Sequence, residues 1–283
     1  MLLFNDCYIM AYIVPIQVIP FMPYISQKRV AITGAAGGFG RAMALHFASL
    51  GYKVAVADLN KEMGKATVEA IIGAGGDAFF QSCNVCEEAD LQALLASCQQ
   101  QWGGVDVLIN NAGIASSAPI HKESMENWEK LFQVNTLGVV RGCKVFTPAF
   151  KAQGGGHIVN IASIAGISCT PMMAAYNSSK AAVIALSETL RWELKRYLIG
   201  VTVVCPSMFK TGIVEGSLTE NNHAKASMQA VAEQSSISAE DIAVMVARAV
   251  ERNQFMLLPH RSTHWLWWLK RLSPDFYQWF SAR

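Results

Sequence analysis

The chain has 283 residues and a formal charge of +2, with 52% hydrophobic and 16% charged residues. That length easily holds one core, and the near-neutral charge, without a basic run or aromatic-basic interleaving, speaks against a nucleic-acid partner. The seven cysteines (Cys7, Cys83, Cys86, Cys98, Cys143, Cys169, Cys205) are scattered, which fits free thiols in a reducing, cytoplasmic setting better than a disulfide framework.

Residues 1–27 form an apolar extension, uncharged from residue 7 onward. Pro15, Pro20 and Pro23 interrupt any spanning helix there, and the cationic start of a secretory signal is missing. Two readings stand: an overextended start with Met22 as the natural initiator, or an extension that is ordered or touches membrane.

From residue 28 strand and helix patterns alternate. Strands are expected at 28–33, 53–58, 77–83, 105–110, 156–162, 200–205 and 255–258. Amphipathic stretches such as 87–102, 137–150 and 174–197 lie between them, and Ser238-Ala239-Glu240-Asp241 reads as a cap opening a helix to about residue 251. Such alternation predicts an α/β fold: a single Rossmann-type doubly wound parallel sheet of about seven strands, with helices on both faces.

The first strand runs into Gly34-Ala35-Ala36-Gly37-Gly38-Phe39-Gly40, followed by a helix expected from Arg41 to about Leu50. Glycines let the backbone approach a ligand closely, and the N–H groups opening the helix then face a pyrophosphate. The second strand ends at Asp58, 18 residues after Gly40, where a carboxylate accepts hydrogen bonds from a ribose and repels a 2′-phosphate.

Further on, Tyr176 and Lys180 share one helical face, and Ser163 closes the strand at 156–162. A lysine ammonium beside a phenol is expected to pull the tyrosine pKa down, readying it for proton exchange with an alcohol or carbonyl. Cys83-x-x-Cys86 has no second cysteine pair or histidine at ligand spacing, so no metal is assigned to it.

These motifs together resemble the short-chain dehydrogenase/reductase family, over roughly residues 28–258. Thr33-Gly34-x-x-x-Gly38-x-Gly40 is similar to the family's cofactor turn, and Asn110-Asn111-Ala112-Gly113 to its sheet-and-adenosine motif. Asn135 stands where the family keeps a structural and proton-relay asparagine, and Ser163, Tyr176 and Lys180 complete its catalytic tetrad. The resemblance implies cofactor contacts from Gly34, Ala36, Gly37, Gly38, Phe39, Gly40, Asp58, Asn84, Val85, Asn111, Ala112, Gly113, Tyr176, Lys180, Pro206, Phe209 and Thr211. It departs from the family at Asn84-Val85 in place of Asp-Val, at Ala162 before the serine, and at Pro206-Ser207 in place of Pro-Gly.

The resemblance implies an oxidoreductase that interconverts a secondary or apolar alcohol and its carbonyl, with NAD(H) favoured through Asp58 and NADP(H) as the alternative. An NADP(H)-linked reductase of 3-oxoacyl thioesters and a non-catalytic dinucleotide sensor are the rival readings. Met208, Phe209, Ile213 and Val214 in the loop over the cleft suggest a hydrophobic substrate. A homodimer or homotetramer pairing the helices at 137–150 and 174–197 is implied as well. The tail at 259–283 concentrates Trp265, Trp267, Trp268, Phe276, Tyr277, Trp279 and Phe280 beside Lys270 and Arg271. It reads either as an interfacial amphipathic helix or as packing on the cleft or on a neighbouring subunit.

Overall fold

Seven short strands stand side by side as one all-parallel sheet in a computed structural model that describes residues 27–209, 216–219 and 222–281. The elements run β1 Arg29–Thr33, α1 Gly38–Ser49, β2 Lys53–Asp58, α2 Lys61–Gly73, β3 Ala78–Ser82, α3 Glu88–Trp102 and β4 Val107–Asn110. They continue with α4 Met125–Leu131, α5 Gly138–Ala152, β5 Gly156–Ile161, α6 Ala165–Ser168, α7 Ala174–Leu194 and β6 Ile199–Val204. The chain then forms α8 Asn222–Glu233, α9 Ala239–Glu251, β7 Met256–Leu257, α10 Arg261–Leu272 and α11 Pro274–Ser281. The expectations for residues 1–26 and for Thr211, Ile213 and Val214 fall outside the described residues.

The strand order is β3-β2-β1-β4-β5-β6-β7. After β3 the chain crosses back to pair β4 with β1, so the direction of winding reverses between those two strands. A reversal of that kind leaves a crevice at the carboxyl ends of the strands. Residues alternate between the two faces of each strand. Val30 and Ile32 of β1 join Val54 and Val56 beneath α1 and α9, while Ala31 joins Leu108 and Ile158 beneath α3, α5 and α7. Helices therefore cover both faces, as the alternating pattern implies.

Several boundaries differ from expectation. Helix α1 begins at Gly38, so Gly38 and Gly40 lie within its first turn. The strands β4 and β7 shorten to 107–110 and to Met256–Leu257, the length over which each meets a neighbour in register. Between α4 and α5, residues Phe132–Leu137 form a π-helical turn, and Asn135 within it is fully buried. The wider turn displaces the side chains after it, a common device at functional sites.

At the opposite, amino-terminal edge of the sheet, Arg29 and Asp106 form a buried two-pronged pair. Arg29 Nε donates to Asp106 Oδ2 at 2.8 Å and Arg29 Nη2 to Oδ1 at 3.0 Å. Arg29 also donates through Nη1 to the Trp102 carbonyl, which ties the end of α3 to β1.

Candidate active site

The glycine turn is shaped by close approach. Gly34 has φ +65°, and a Cβ there would stand 2.8 Å from Ala112 Cα. A Cβ on Gly40 would stand 1.9 Å from the Gly34 carbonyl oxygen, so no other residue lets α1 sit against the turn. Asp58 holds the turn from the side: its Oδ2 accepts from Ala36 N at 2.9 Å and its Oδ1 from Asn60 N at 2.9 Å. Thr67 Oγ1, from α2, donates to the Ala36 carbonyl at 3.1 Å. Gly37 caps α1 without a side-chain hydrogen bond, and no acidic residue occupies the first turn. The opening N–H groups thus meet no competing carboxylate, and the donor set fits a dinucleotide pyrophosphate.

The end of β4 is locked to the same turn. Asn111 Nδ2 donates to the carbonyls of Thr33 and Gly34, both at 3.0 Å. Thr33 Oγ1 accepts from the backbone N–H groups of Asn111 and Ala112 at 3.0 and 3.2 Å. A Cβ on Gly113 would press on Asn135 Oδ1 and Lys180 Nζ. Asn84 spends its carboxamide oxygen on Cys86 N at 3.1 Å, and Val85 seats against Gly138. Phe39 and Phe209 pack edge to face, centroids 5.3 Å apart, with both rings buried.

Asn135, Ser163, Tyr176 and Lys180 converge beyond the carboxyl ends of β4 and β5. Asn135 clamps the chain after β4, accepting from Ile114 N and donating to Ile114 O, both at 2.9 Å. Its Nδ2 also donates to Ser179 Oγ at 3.1 Å, and Ser179 donates to the Tyr176 carbonyl at 2.8 Å. Ser163 Oγ accepts from Ala165 N at 3.1 Å and donates to the Pro206 carbonyl at 3.5 Å, and it stands beside the Tyr176 phenol. Lys180 Nζ donates to the Ile161 carbonyl at 2.9 Å.

The charge balance corrects one expectation. Burial pushes the Tyr176 phenol up to about 12, and the bond from Ser163 is what opposes that rise. Lys180 does not pull the phenol down: its ammonium is turned to Ile161 O, 5.8 Å from the Tyr176 ring centroid. Burial also lowers Lys180 itself to about 8. Desolvation penalises the charged form of both groups.

The loop after β6 leans on a residue that sequence reasoning missed. Ser207 N donates to His260 Nδ1 at 3.3 Å, and Ile164 N donates to the Pro206 carbonyl at 2.9 Å. Thr67 and Ser179 were missed too. Each hydroxyl also bonds a carbonyl of its own helix, Thr67 to Met63 O and Ser179 to Tyr176 O, but the contacts that matter here, to Ala36 O and from Asn135, come from other elements and no local spacing signals them. Thr211 lies outside the described residues. A small apolar cluster surrounds Tyr176: Ala115, Leu131, Ala165 and Ala175 are buried with it, and Ile114, Trp128, Met173, Leu218 and Met228 pack around them half-buried. Thr219 Oγ1 accepts from Ser117 N at 2.9 Å and fastens one side of that cluster.

The tail returns to the segment between Ser163 and Tyr176. Lys270 Nζ donates to the Ile167 carbonyl at 2.5 Å and Tyr277 Oη to the Ser168 carbonyl at 2.8 Å. Among the described residues no helix is long and apolar enough to cross a membrane.

Comparison with known proteins agrees with this geometry. Residues 28–222 match the family described as short chain dehydrogenase. An uncharacterized oxidoreductase of Thermotoga maritima is 39% identical over 179 residues, 63% of this chain and 70% of that protein. A 2-(R)-hydroxypropyl-CoM dehydrogenase of Xanthobacter autotrophicus is 36% identical over 199 residues, 69% of this chain and 80% of that protein. The crystal structure of a short-chain dehydrogenase/reductase from Burkholderia phymatum in complex with NAD superposes with a TM-score of 0.85 at 30% identity, covering 90% of this chain and 96% of that one. With the parallel sheet, the glycine turn and the Ser-Tyr-Lys cluster in place, the chain belongs to the short-chain dehydrogenase family, whose members are oxidoreductases acting on CH–OH groups.

Proposed function

We propose that the protein is an NAD(H)-dependent dehydrogenase of apolar secondary alcohols, running in either direction between alcohol and ketone. The seat of Tyr176 carries this reading: its phenol stands beside Ser163, and its ring stands in the cluster completed by Ile114, Met173, Leu218 and Met228. An apolar substituent gains by leaving water for such surroundings, while a charged one does not. The name of the Xanthobacter relative supports a secondary alcohol, and the NAD bound to the Burkholderia protein supports the cofactor.

A bound nicotinamide supplies the acceptor for the carbinol hydrogen. The chain's own residues handle the proton and the charge. Ser163 Oγ donates to the substrate oxygen, fixing its orientation and steadying the charge that develops there. Tyr176 Oη takes the hydroxyl proton as its phenolate, having first released its own proton, and as the phenol it returns one to the carbonyl oxygen in the reverse direction. The Lys180 ammonium, fixed by Ile161 O, would offer the cofactor's ribose a donor, and Asn135 keeps Ile114 and α7 at a constant separation. Asp58, at the end of β2 and bonded to the turn, supports NAD(H), because its carboxylate would repel a 2′-phosphate.

The test is kcat/KM with NAD⁺ and NADP⁺ across aliphatic, steroidal, retinoid and 3-hydroxyacyl alcohols. NAD⁺ with an apolar secondary alcohol is expected to lead. A higher kcat/KM with NADP(H) and 3-oxoacyl thioesters would instead establish the rival reading. Tyr176→Phe is expected to lower kcat by about a hundredfold or more, with NADH affinity by fluorescence titration unchanged. A variant that kept more than roughly a tenth of the wild-type kcat would remove Tyr176 from the proton transfer.

A further inference from the structure

Helix α10 packs Leu266, Trp267 and Leu269 half-buried on the protein, yet its exposed side is also apolar in part. Of its cations, Lys270 turns to Ile167 O and Cys169 Sγ while Arg261 and Arg271 stay exposed, and Trp267 packs on the core. Its outward stripe is Arg261, Trp265, Trp268 and Leu272, spaced so that all four fall on one side at ~3.6 residues per turn. Trp265 is 81% exposed and Leu272 78%. The stripe continues into α11, where exposed Phe276 and Trp279 stack with centroids 5.5 Å apart. It also borders α7: Arg271 pairs with Glu188 at 3.7 Å, and one turn beyond Glu188 stands Trp192, 75% exposed.

Six large apolar side chains in one neighbourhood are more than a water-facing surface ordinarily carries. The charges around them indicate what covers them. Arg261 and Arg271 are exposed on α10 itself, Arg271 stacked on Trp267 and paired with Glu188, and Arg191 precedes Trp192 on α7, its guanidinium over Phe255. The cores of protein interfaces are depleted of charge. Tryptophans flanked by arginines instead match the headgroup level of an anionic bilayer, where indole rings sit between acyl chains and water and guanidinium groups meet phosphates.

We propose that the face formed by Trp192, Trp265, Trp268, Leu272, Phe276 and Trp279 docks the protein on the surface of an anionic phospholipid bilayer without spanning it. The hydrogen bonds from Lys270 and Tyr277 to Ile167 and Ser168 carry that docking to the segment joining Ser163 to Tyr176. The site is thereby fixed in orientation toward the lipid.

Flotation of the full chain with vesicles tests this. Wild-type protein is expected to float with mixed phosphatidylglycerol–phosphatidylcholine vesicles, to stay behind with phosphatidylcholine alone, and to be released as salt rises. The double variant Trp265→Ser, Trp268→Ser changes only exposed side chains and is expected to lose about tenfold or more in partitioning, with its melting temperature retained. The double variant Arg261→Glu, Arg271→Glu keeps the tryptophans and is expected to lose the preference for phosphatidylglycerol. Failure of the wild type to float, or equal flotation of wild type and the tryptophan variant, overturns the proposal. A lipid-free oligomer formed by the wild type and lost in the tryptophan variant also overturns it, since a second copy would then cover the face.

Discussion

At Tyr176 burial and hydrogen bonding pull in opposite directions. Burial holds the phenol up near 12, and Ser163 is the neighbour that brings it down. Removing that hydroxyl in Ser163→Ala is expected to move the rising limb of the alcohol-oxidation pH profile to higher pH. It should also lower kcat by about 10²–10³-fold, the usual cost of losing one donor to a developing oxyanion. A limb that stayed in place would remove Ser163 from the control of the phenol. Lys180 gives a second pH signature. Its folded-state pKa of about 8 lies below the ordinary 10.5. The unfolded chain therefore binds more protons between those values, and stability rises with pH across that window. The penalty for burying the ammonium is complete below about pH 8 and gone above about 10.5. Melting temperatures of wild type and Lys180→Met, compared from pH 7 to 10.5, are expected to shift steadily in favour of the wild type as pH rises. A constant difference would mean that Lys180 titrates normally.

The two edges of the sheet divide stability from chemistry. Arg29 and Asp106 meet at the amino-terminal edge, away from the glycine turn and Tyr176. Asp106→Ala leaves a buried guanidinium without its carboxylate and is expected to cost about 3–5 kcal/mol in denaturant unfolding. KM for cofactor should stay unchanged in the fraction that remains folded. An unchanged unfolding midpoint would show that the pair contributes nothing. Legibility in the sequence follows the same physical lines. The strands were readable because buried Val, Ile and Ala runs such as 29–33 and 199–204 sit between helical patterns. The glycine turn was readable because only glycine tolerates the approach of Gly40 to the Gly34 carbonyl. The π-helical turn at Phe132–Leu137 was not, since its residues continue an ordinary helical pattern and only the fit of Asn135 to Ile114 and Ser179 selects the wider turn. The bond from Ser207 to His260 was equally hidden, because it joins residues 53 positions apart across two elements.

For the molecule as a whole, the order of the chain and the order of its contacts differ at the end. The last strand, β7, meets β6 over two residue pairs only, and the chain then leaves the sheet to lay α10 and α11 beside α6. Helix α6 is itself a single turn of four residues, too short to hold its own shape in isolation. Its last carbonyls are engaged by Lys270 and Tyr277, from the far end of the sequence. In hydrogen-exchange terms, the amides of residues 165–169 should therefore report on the carboxyl terminus as well as on the sheet. Truncation after residue 259 is expected to raise their exchange rates while the amides of β4 and β5 keep theirs. Unaltered protection at 165–169 would show that α6 is self-supporting. The stretch of chain joining Ser163 to Tyr176 is thus among the first to loosen when the terminus is clipped, and proteolysis there would act on turnover before it acted on folding.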